Sequence, residues 1–188
     1  ASALMASMTG FYAVYHGAEG IRAIAEHIHS CATAAAAAVK ALGCKLLAEN
    51  FFDTIEVEVD AAVVQDLALE RGVNFYYPNA DHVRISFDEV TTADEVQEVV
   101  SIIAEAVGKK APKSITLKPS ATFGENMDRR SAYLTEDVFK KYRTETELMR
   151  YIKKLERRDI SLANSMISLG SCTMKLNAAS EMLPLSNP

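Results

Sequence analysis

The fold is decided by residues 51–108, FFDTIEVEVDAAVVQDLALERGVNFYYPNADHVRISFDEVTTADEVQEVVSIIAEAVG. Apolar and polar side chains alternate over 51–59 and again over 83–87, which predicts two strands with one buried face each. A shorter strand is predicted at 75–77, with a turn at 78–81. Asp60 predicts the start of a helix over 61–71, and Thr92 with Glu95 predicts a capping box that opens a second helix, closed by a glycine at 108.

Working outward, apolar residues recur at helical spacing from Ala18 to Leu42, and Gly43 is suited to the position just after the helix. The predicted order over residues 18–108 is therefore α-β-α-β-β-α. One helix crosses between the first two strands, and a hairpin joins the last two. We expect a compact α+β sandwich in which helices cover one face of a mixed sheet.

Composition narrows the class of protein. The 188 residues are 49% hydrophobic and 24% charged, which is typical of a globular chain and not of a disordered or collagen-like one. We expect no membrane-spanning helix, because no stretch of about 18 uncharged apolar residues occurs. A net charge of −5 disfavours nucleic acid or an anionic membrane as a partner. Three widely spaced cysteines do not predict a disulfide framework, so we expect a reducing compartment.

Charge also marks the boundaries along the chain. Residues 45–108 carry 14 acidic and 3 basic side chains, whereas residues 109–124 carry four lysines and no acid. Because the second stretch also contains two prolines and a glycine, it is predicted to be a linker. Beyond it, residues 145–158 have the pattern of an amphipathic helix with a narrow apolar stripe, formed by Leu148, Ile152 and Leu155. The chain starts with Ala1 inside an apolar pattern without a signal-peptide motif, so we expect a processed chain or a piece of a longer one.

Several side chains could carry chemistry, and each also has a structural interpretation. The histidines are candidates for metal binding, but His27 and His29 are two residues apart on a helix and cannot hold one ion, which favours structural roles. Arg84 could clamp a carboxylate, yet the strand alternation places it on the polar, solvent-facing side. The other two histidines are His16 and His82.

Charged side chains are interpreted as surface. The pairs Glu56 with Glu58 and Asp88 with Glu89 lie on predicted solvent faces or turns, where nothing implies burial. The lysine pairs at 140–141 and 153–154 are interleaved with acids, which indicates ion pairs on helix surfaces.

The most informative string is GSCTMKLN at residues 170–177. A glycine followed by small residues with hydroxyl groups can direct backbone amides at an anion, although an ordinary loop has the same composition. Cys172 could be a nucleophile or an inert thiol, since no histidine lies near it in the sequence.

Three strings of the sequence resemble a known family. SMISLGSCTMKLNAASEM at residues 165–182 resembles the signature that opens the C-terminal half of glycine decarboxylases, the P-proteins of the glycine cleavage system. ETELMRYIKKLE at 145–156 and YAVYHG at 12–17 are similar to the same family. The sequence departs from the family pattern at Ser168, where proline is usual, and at Glu26-His27, where a basic pair is usual.

The resemblance implies an enzyme built from two tandem halves with the fold of type I pyridoxal-phosphate-dependent transferases. Residues 1–17 would then be the remnant of a large-domain helix and 18–108 the small α+β domain. Residues 109–124 would be the linker, and 125–188 a helical, partly extended arm that leads into the second catalytic half.

The resemblance also implies the chemistry of the parent enzyme. Glycine loses its carboxylate on pyridoxal phosphate, whose ring is the electron sink, and the aminomethyl group passes to the lipoyl arm of the H-protein. The lysine that binds the cofactor would lie outside this chain, and Lys175 does not take that role. We therefore expect no catalytic, cofactor-binding or metal-binding residue here. Ser171, Cys172 and Thr173 are expected to line the active-site mouth of the parent.

Three further expectations complete the interpretation. The alternative function is a stand-alone acidic α+β module that binds or regulates a protein partner. A piece of a longer enzyme would leave uncovered the apolar surfaces that the missing large domain covers. We therefore expect self-association through residues 1–14, the stripe of the helix at 145–158, or Met182-Leu183, with exchange of the C-terminal arm beyond the linker as one route. We expect a bacterial cytoplasmic protein, or a mitochondrial matrix protein if the source is a eukaryote.

Overall fold

The computed structural model describes residues 2–118 and 129–158, together with Met166 and Pro184. Within these residues the chain has the α+β composition that was predicted. The helices are α1 (Ala3–Ala41), α2 (Ala61–Glu70), α3 (Ala93–Ala106), α4 (Val138–Lys141) and α5 (Glu145–Glu156), and the strands are β1 (Lys45–Leu46), β2 (Thr54–Glu58), β3 (Tyr76–Asn79) and β4 (His82–Ser86).

The strands form one antiparallel sheet in the order β1-β2-β4-β3. The prediction of a mixed sheet is therefore wrong for the described residues. Helix α2 connects β2 to β3, and these two strands run in the same direction, but β4 lies between them and is antiparallel to both. Strand β1 was not predicted, because its two residues, which pair Lys45 with Glu58 and Leu46 with Val57, are too few to show an alternation.

The core lies between one face of this sheet and helices α1 to α3. Ile55 and Val57 of β2 pair in register with Ile85 and Val83 of β4, and all four side chains are buried. Since the polar residues of the same strands point to the opposite face, the helices cover one face of the sheet, as predicted. The helices contribute mostly small and β-branched side chains to this core: Cys31, Ala32, Ala35, Ala36, Val39, Ala61, Val64, Ala68, Val96, Val100, Ile102, Ile103 and Ala104.

Both predicted helix starts are confirmed by their hydrogen bonds. The Asp60 carboxylate accepts from the backbone amides of Ala62 and Val63 at 3.0 and 3.2 Å. The Thr92 hydroxyl accepts from the Glu95 amide at 3.3 Å, and the Glu95 carboxylate accepts from the Thr92 amide at 2.7 Å, which completes the capping box. These bonds satisfy amides that have no partner within the helix.

Helix α1 differs from its prediction at its start. The prediction begins at Ala18, whereas the helix begins at Ala3 and continues to Ala41, with one non-helical residue, Gly17. Its end agrees with the prediction, since Gly43 follows with φ +81°. Apolar residues before Ala18, such as Leu4, Met5 and Met8, also fall on one side of the helix, but they are exposed and do not join the core. The resemblance, and not the core pattern, implied a helix over 1–17.

The described part of the predicted linker, residues 109–118, is attached to the sandwich. The Lys109 ammonium donates to the carbonyl of Leu42, just past the last residue of α1. The Gln97 side-chain amide on α3 donates to the Pro112 carbonyl at 2.8 Å. Ile115 and Leu117 pack against the core. Residues 109–118 therefore continue along the sandwich instead of leaving it at the end of α3.

The segment at residues 129–158, called here the arm, contains α4 and α5. The predicted amphipathic helix is confirmed as α5, which ends two residues earlier than predicted. It begins with a second capping box, between Thr144 and Glu147. Both helices of the arm contact α1. Among the described residues, no helix combines the length and apolar character needed to cross a membrane.

We expect the capping box of α3 to make stability depend on pH. Its hydrogen bonds from Thr92 lower the pKa of Glu95 below the ordinary value of 4.5. A carboxylate with a lowered pKa stabilises the folded state fully above its unfolded pKa, and this contribution is lost as the pH falls through the folded value. Glu95→Gln should therefore lower the urea midpoint at pH 7, and the difference from wild type should shrink below about pH 4.5.

The matched control is Glu98→Gln, which changes an exposed carboxylate one turn further along α3. Urea unfolding followed by circular dichroism at several pH values is the measurement. An equal destabilisation by E95Q at pH 7 and pH 3.5 would contradict the interpretation.

Candidate functional site at a helix break

The residues predicted to line an active-site mouth, Ser171, Cys172 and Thr173, lie outside the described residues, as does Lys175. Their role stays a prediction. Ser168 and the apolar pair Met182-Leu183 also lie outside the described residues. The histidines, Arg84 and the other charged side chains singled out in the sequence are described, and most have a structural partner that accounts for them.

Arg84 is paired within the sheet. Its guanidinium donates from Nε and Nη2 to one carboxylate oxygen of Glu56, at 2.9 and 2.7 Å, and it lies over the ring of Tyr76 at 5.4 Å. The pairing follows from the register, which places Arg84 directly opposite Glu56. Glu56 was interpreted as a solvated surface residue, and this is wrong: its side chain is only 13% exposed and is fixed by the arginine. The ion pair with Glu56 on the adjacent strand accounts for the position of Arg84, so a substrate carboxylate is not needed to explain it.

The histidines make separate contacts. His27 Nε2 is 2.9 Å from the Thr91 carbonyl, and His29 Nδ1 is 2.8 Å from the Phe52 carbonyl. His82 Nδ1 is 2.9 Å from Asn79 Oδ1. His16 lies beside the rings of two tyrosines. Within residues 2–118 and 129–158 there is no cluster of His, Cys, Asp and Glu able to hold a metal ion.

The two described cysteines are not activated. Burial raises the pKa of the Cys31 thiol above its ordinary value. Burial also raises the pKa of Cys44, although Lys109 acts in the opposite direction. Since the thiolate is the nucleophilic form, both environments disfavour nucleophilic chemistry.

The remaining charged side chains form local contacts. Asp88 accepts from the backbone amides of Val90 and Thr91 at 3.1 and 3.0 Å, so it closes the turn before α3. Glu58 is 3.3 Å from Lys45 on the neighbouring strand.

The predicted ion pairs of the arm are confirmed. Lys141 lies 2.8 Å from Asp137, and Lys153 lies 2.5 Å from Glu156. The hydrogen bond from Lys141 lowers the pKa of Asp137. Both pairs join residues three or four positions apart, so they stabilise single helical turns and do not form a phosphate-binding patch.

An unexpected site lies where α1 is broken, at Gly17. This residue has φ +58° and ψ −171° between two helical segments. That combination is accessible essentially only to glycine, because a Cβ atom would clash with the backbone. A Cβ built on Gly17 would also overlap the guanidinium of Arg143. The backbone conformation therefore requires glycine, and a side chain here would also displace the Arg143 guanidinium.

The break is occupied by side chains of the arm. The Arg143 guanidinium donates to the carbonyl of His16 and, at 2.6 Å, to the carbonyl of Phe139 on α4. On the other side of the glycine, the Tyr133 hydroxyl donates to the carbonyl of Ala18 at 2.8 Å. We call five residues of α1 and the arm the helix-break junction: His16, Gly17, Ala18, Tyr133 and Arg143.

Aromatic rings surround the junction. Tyr12 and Tyr15 lie 4.3 and 5.1 Å from the ring of His16. Tyr151 of α5 meets Phe11 of α1 edge-on at 6.4 Å and stacks on Tyr142 at 4.2 Å. Offset and edge-on ring pairs of this kind contribute about 0.5–1.5 kcal/mol each beyond their buried area.

Two of the three strings that carry the family resemblance meet here, since YAVYHG ends at the break and ETELMRYIKKLE forms α5. Sequence reasoning missed the junction itself. A signal was available in the glycine at 17, which interrupts an otherwise helical pattern. No local signal identifies Arg143 or Tyr133, because their partners are more than 100 residues away in the chain.

Comparison with known proteins agrees with that resemblance. Residues 1–103 match the family described as Glycine cleavage system P-protein. The chain belongs to this family. It is 50% identical over 188 residues to the "Glycine dehydrogenase (decarboxylating)" of Flavobacterium johnsoniae and 48% identical over 188 residues to that of Christiangramia forsetii. The protein of the same name from Shewanella pealeana is 42% identical over 193 residues.

In each of these alignments the whole chain is covered, but only 20% of the relative. The chain thus spans about one fifth of the length of the P-protein relatives it matches. The resemblance read from the three strings is confirmed, and so is the interpretation of the chain as a segment of such an enzyme.

We expect the Arg84–Glu56 pair to stabilise the sheet. Arg84→Met should lower the free energy of unfolding by about 1–2 kcal/mol, because it leaves the partly buried Glu56 carboxylate without its charged donor. When Glu56→Gln is already present, the same substitution should cost clearly less. Lys45→Met, which removes the more exposed pair with Glu58, is the control and should cost less than about 0.5 kcal/mol.

The measurement is a double-mutant cycle by urea unfolding, with R84M, E56Q and the double variant. An R84M cost that is the same with and without E56Q would show that the pair is not coupled, and it would reopen a role for Arg84 outside the sheet.

Proposed function

We propose that this chain is part of a P-protein that decarboxylates glycine and passes the aminomethyl group to the lipoyl arm of the H-protein. The observation that carries the proposal is the match of the entire chain, at up to 50% identity, to relatives named glycine dehydrogenase (decarboxylating). We place it in the bacterial cytoplasm, which its cysteine usage and the bacterial relatives support.

The described residues do not form a site that fits pyridoxal phosphate, the cofactor that the family implies. Such a site needs a lysine amine that is sequestered and free to form an imine. One groove in the described part of the chain is lined in part by Lys40, Lys45 and Glu49. The Lys45 side chain is 78% exposed, and its ammonium lies 3.3 Å from the Glu58 carboxylate. The proposed site of the cofactor is therefore in the parent enzyme beyond the described residues.

A second groove, of about 400 Å³, lies between the end of β4 and the start of α3. Among the described residues that line it, Arg84 carries the positive charge, and its guanidinium is paired with Glu56. Glu95 and Glu98 add negative charge to the lining. This charge balance disfavours a phosphate-bearing ligand, so the groove does not serve the cofactor either.

We propose a structural role for the segment itself. Residues 18–108 correspond to the small domain of a type I pyridoxal-phosphate enzyme, and 109–124 correspond to the linker. Residues 125–188, which include the arm, lead into the second half. The antiparallel sheet with helices on one face supports the α+β domain at 18–108. The residues at 1–17 would then belong to a helix of the large domain, and Ser171, Cys172 and Thr173 would line the mouth of its active site.

The alternative of a stand-alone acidic module is less well supported. A stand-alone module would not be expected to align over its entire length with one fifth of a longer enzyme. The described acidic side chains also form caps and ion pairs within the chain, as Glu56, Asp60 and Glu95 show. These carboxylates have partners within the chain.

The proposed function predicts the behaviour of the full reading frame. The enzyme that contains this segment should release CO₂ from glycine only when pyridoxal phosphate and lipoylated H-protein are both present. Ser171→Ala together with Thr173→Ala should reduce this rate if the loop lines the active site, and Ser101→Ala, which alters a half-buried hydroxyl on α3, serves as the control. The 188-residue chain alone should leave the visible absorbance of pyridoxal phosphate unchanged.

The assay is release of labelled CO₂ from carboxyl-labelled glycine. A full-length enzyme without glycine-dependent release would overturn the proposed function. A stoichiometric absorbance change with the chain alone would overturn the non-catalytic role, and an unchanged rate in the Ser171/Thr173 variant would remove the loop from the site.

We also propose that the chain self-associates through the first turns of α1. Leu4, Met5, Met8 and Tyr12 are 68%, 61%, 54% and 43% exposed. On a helix these positions lie within one stripe about 100° wide, which is a continuous apolar surface. The proposed occupant is the same stripe of a second copy, since identical apolar stripes are self-complementary about a two-fold axis.

Met5→Glu with Met8→Glu should therefore shift the chain from dimer to monomer in sedimentation velocity at micromolar concentration. The control is Ala6→Glu, which adds charge to an exposed position on the opposite side of the helix. A strict monomer in the unmodified chain, or a dimer that persists in the double variant, would contradict the proposal.

A further inference from the structure

The docking of the arm on α1 is not explained by apolar burial. No residue of the described arm, 129–158, is buried, and α5 has only 12 residues. Leu148 and Leu155 of its apolar stripe are half-buried, and Ile152 is exposed. A helix of this length is marginal in water without support from packing or capping. The ring contact between Phe11 and Tyr151 contributes to the docking, and a polar contact adds to it.

Arg143 provides that interaction through three elements. Its guanidinium donates to the His16 carbonyl of α1 and to the Phe139 carbonyl of α4. Its own backbone amide donates to the Glu147 carboxylate at 3.3 Å, within the first turn of α5. The residue therefore connects α1, α4 and α5 through one side chain and one amide.

The break in α1 is what allows this contact. In an unbroken helix the carbonyl of residue 16 accepts from the amide of residue 20 and lies against the helix backbone. At Gly17 the backbone turns away, and the absence of a Cβ leaves the space that the guanidinium fills. A planar group with several donors fits a position that must reach two carbonyls on different helices, whereas an ammonium is a point donor.

We propose that the break in α1 at His16 and Gly17 is a guanidinium-binding site whose ligand is Arg143, and that this contact docks the arm on α1. Tyr133 adds a second bond to the carbonyl on the other side of the glycine and so fixes the register of the arm along α1. In the proposed parent enzyme, a point that rests on the proposed function, Arg143 would be a positioning residue for the chain that leads to residues 165–182.

The test is hydrogen exchange of the 188-residue chain, followed by mass spectrometry of peptides from α5 and from α3. In Arg143→Ala we expect the α5 amides to exchange about three- to tenfold faster, with α3 unchanged, because a charged but partly exposed hydrogen-bonded contact is lost. Arg143→Lys should remain closer to the alanine variant than to wild type. Arg150→Ala, which removes an exposed arginine from α5 itself, should match wild type.

Tyr133→Phe keeps the ring and removes only the hydroxyl, and it should accelerate the exchange of α5 by a smaller factor. This second variant gives a result even if R143A unfolds more widely. The proposal is overturned if α5 is unprotected in the wild-type chain, if R143A behaves as R150A does, or if R143K restores full protection.

Discussion

A residue with φ +58° and ψ −171° in the middle of a helix has to be glycine, and the position of Gly17 divides α1 into two parts with different tasks. The part after the glycine supplies Cys31, Ala32, Ala35 and other small residues to the core. The part before it meets the arm through Phe11 and the His16 carbonyl. Within the described chain, α1 is thus the element that contacts both the sandwich and the arm. Helix α1 contributes small side chains to the core, whereas α3 contributes the larger Ile102 and Ile103. Together they fill the space between the helices and the sheet.

The elements of the sandwich could be predicted where a local pattern encodes them. The alternation in β2 and β4, the Asp60 cap and the Thr92–Glu95 capping box are all local, and each was confirmed. The same local signal, Thr144 followed by Glu147, also stands at the start of α5, which was predicted from its apolar stripe alone.

Features that depend on pairing between distant segments could not be predicted in this way. The antiparallel sheet order, the partner of Arg84 and the ligand of the Gly17 break depend on which segments come together. The resemblance located the family correctly for a different reason. It rests on matching strings of residues and not on the physical environment of any one of them. Catalytic groups that lie outside a segment cannot be recognised from the geometry of that segment.

The arm needs only a weak contact because it belongs to the same chain as α1. Lys109 donates to the carbonyl of Leu42, near the end of α1, and Arg143 donates to the carbonyl of His16 at the break. Tethering of this kind raises the effective concentration of the arm at α1 to about the millimolar range. A contact whose affinity would be only millimolar between separate molecules is then substantially occupied within one chain. The break at Gly17 determines where this weak contact forms, since it frees the His16 carbonyl of α1 to accept from the Arg143 guanidinium.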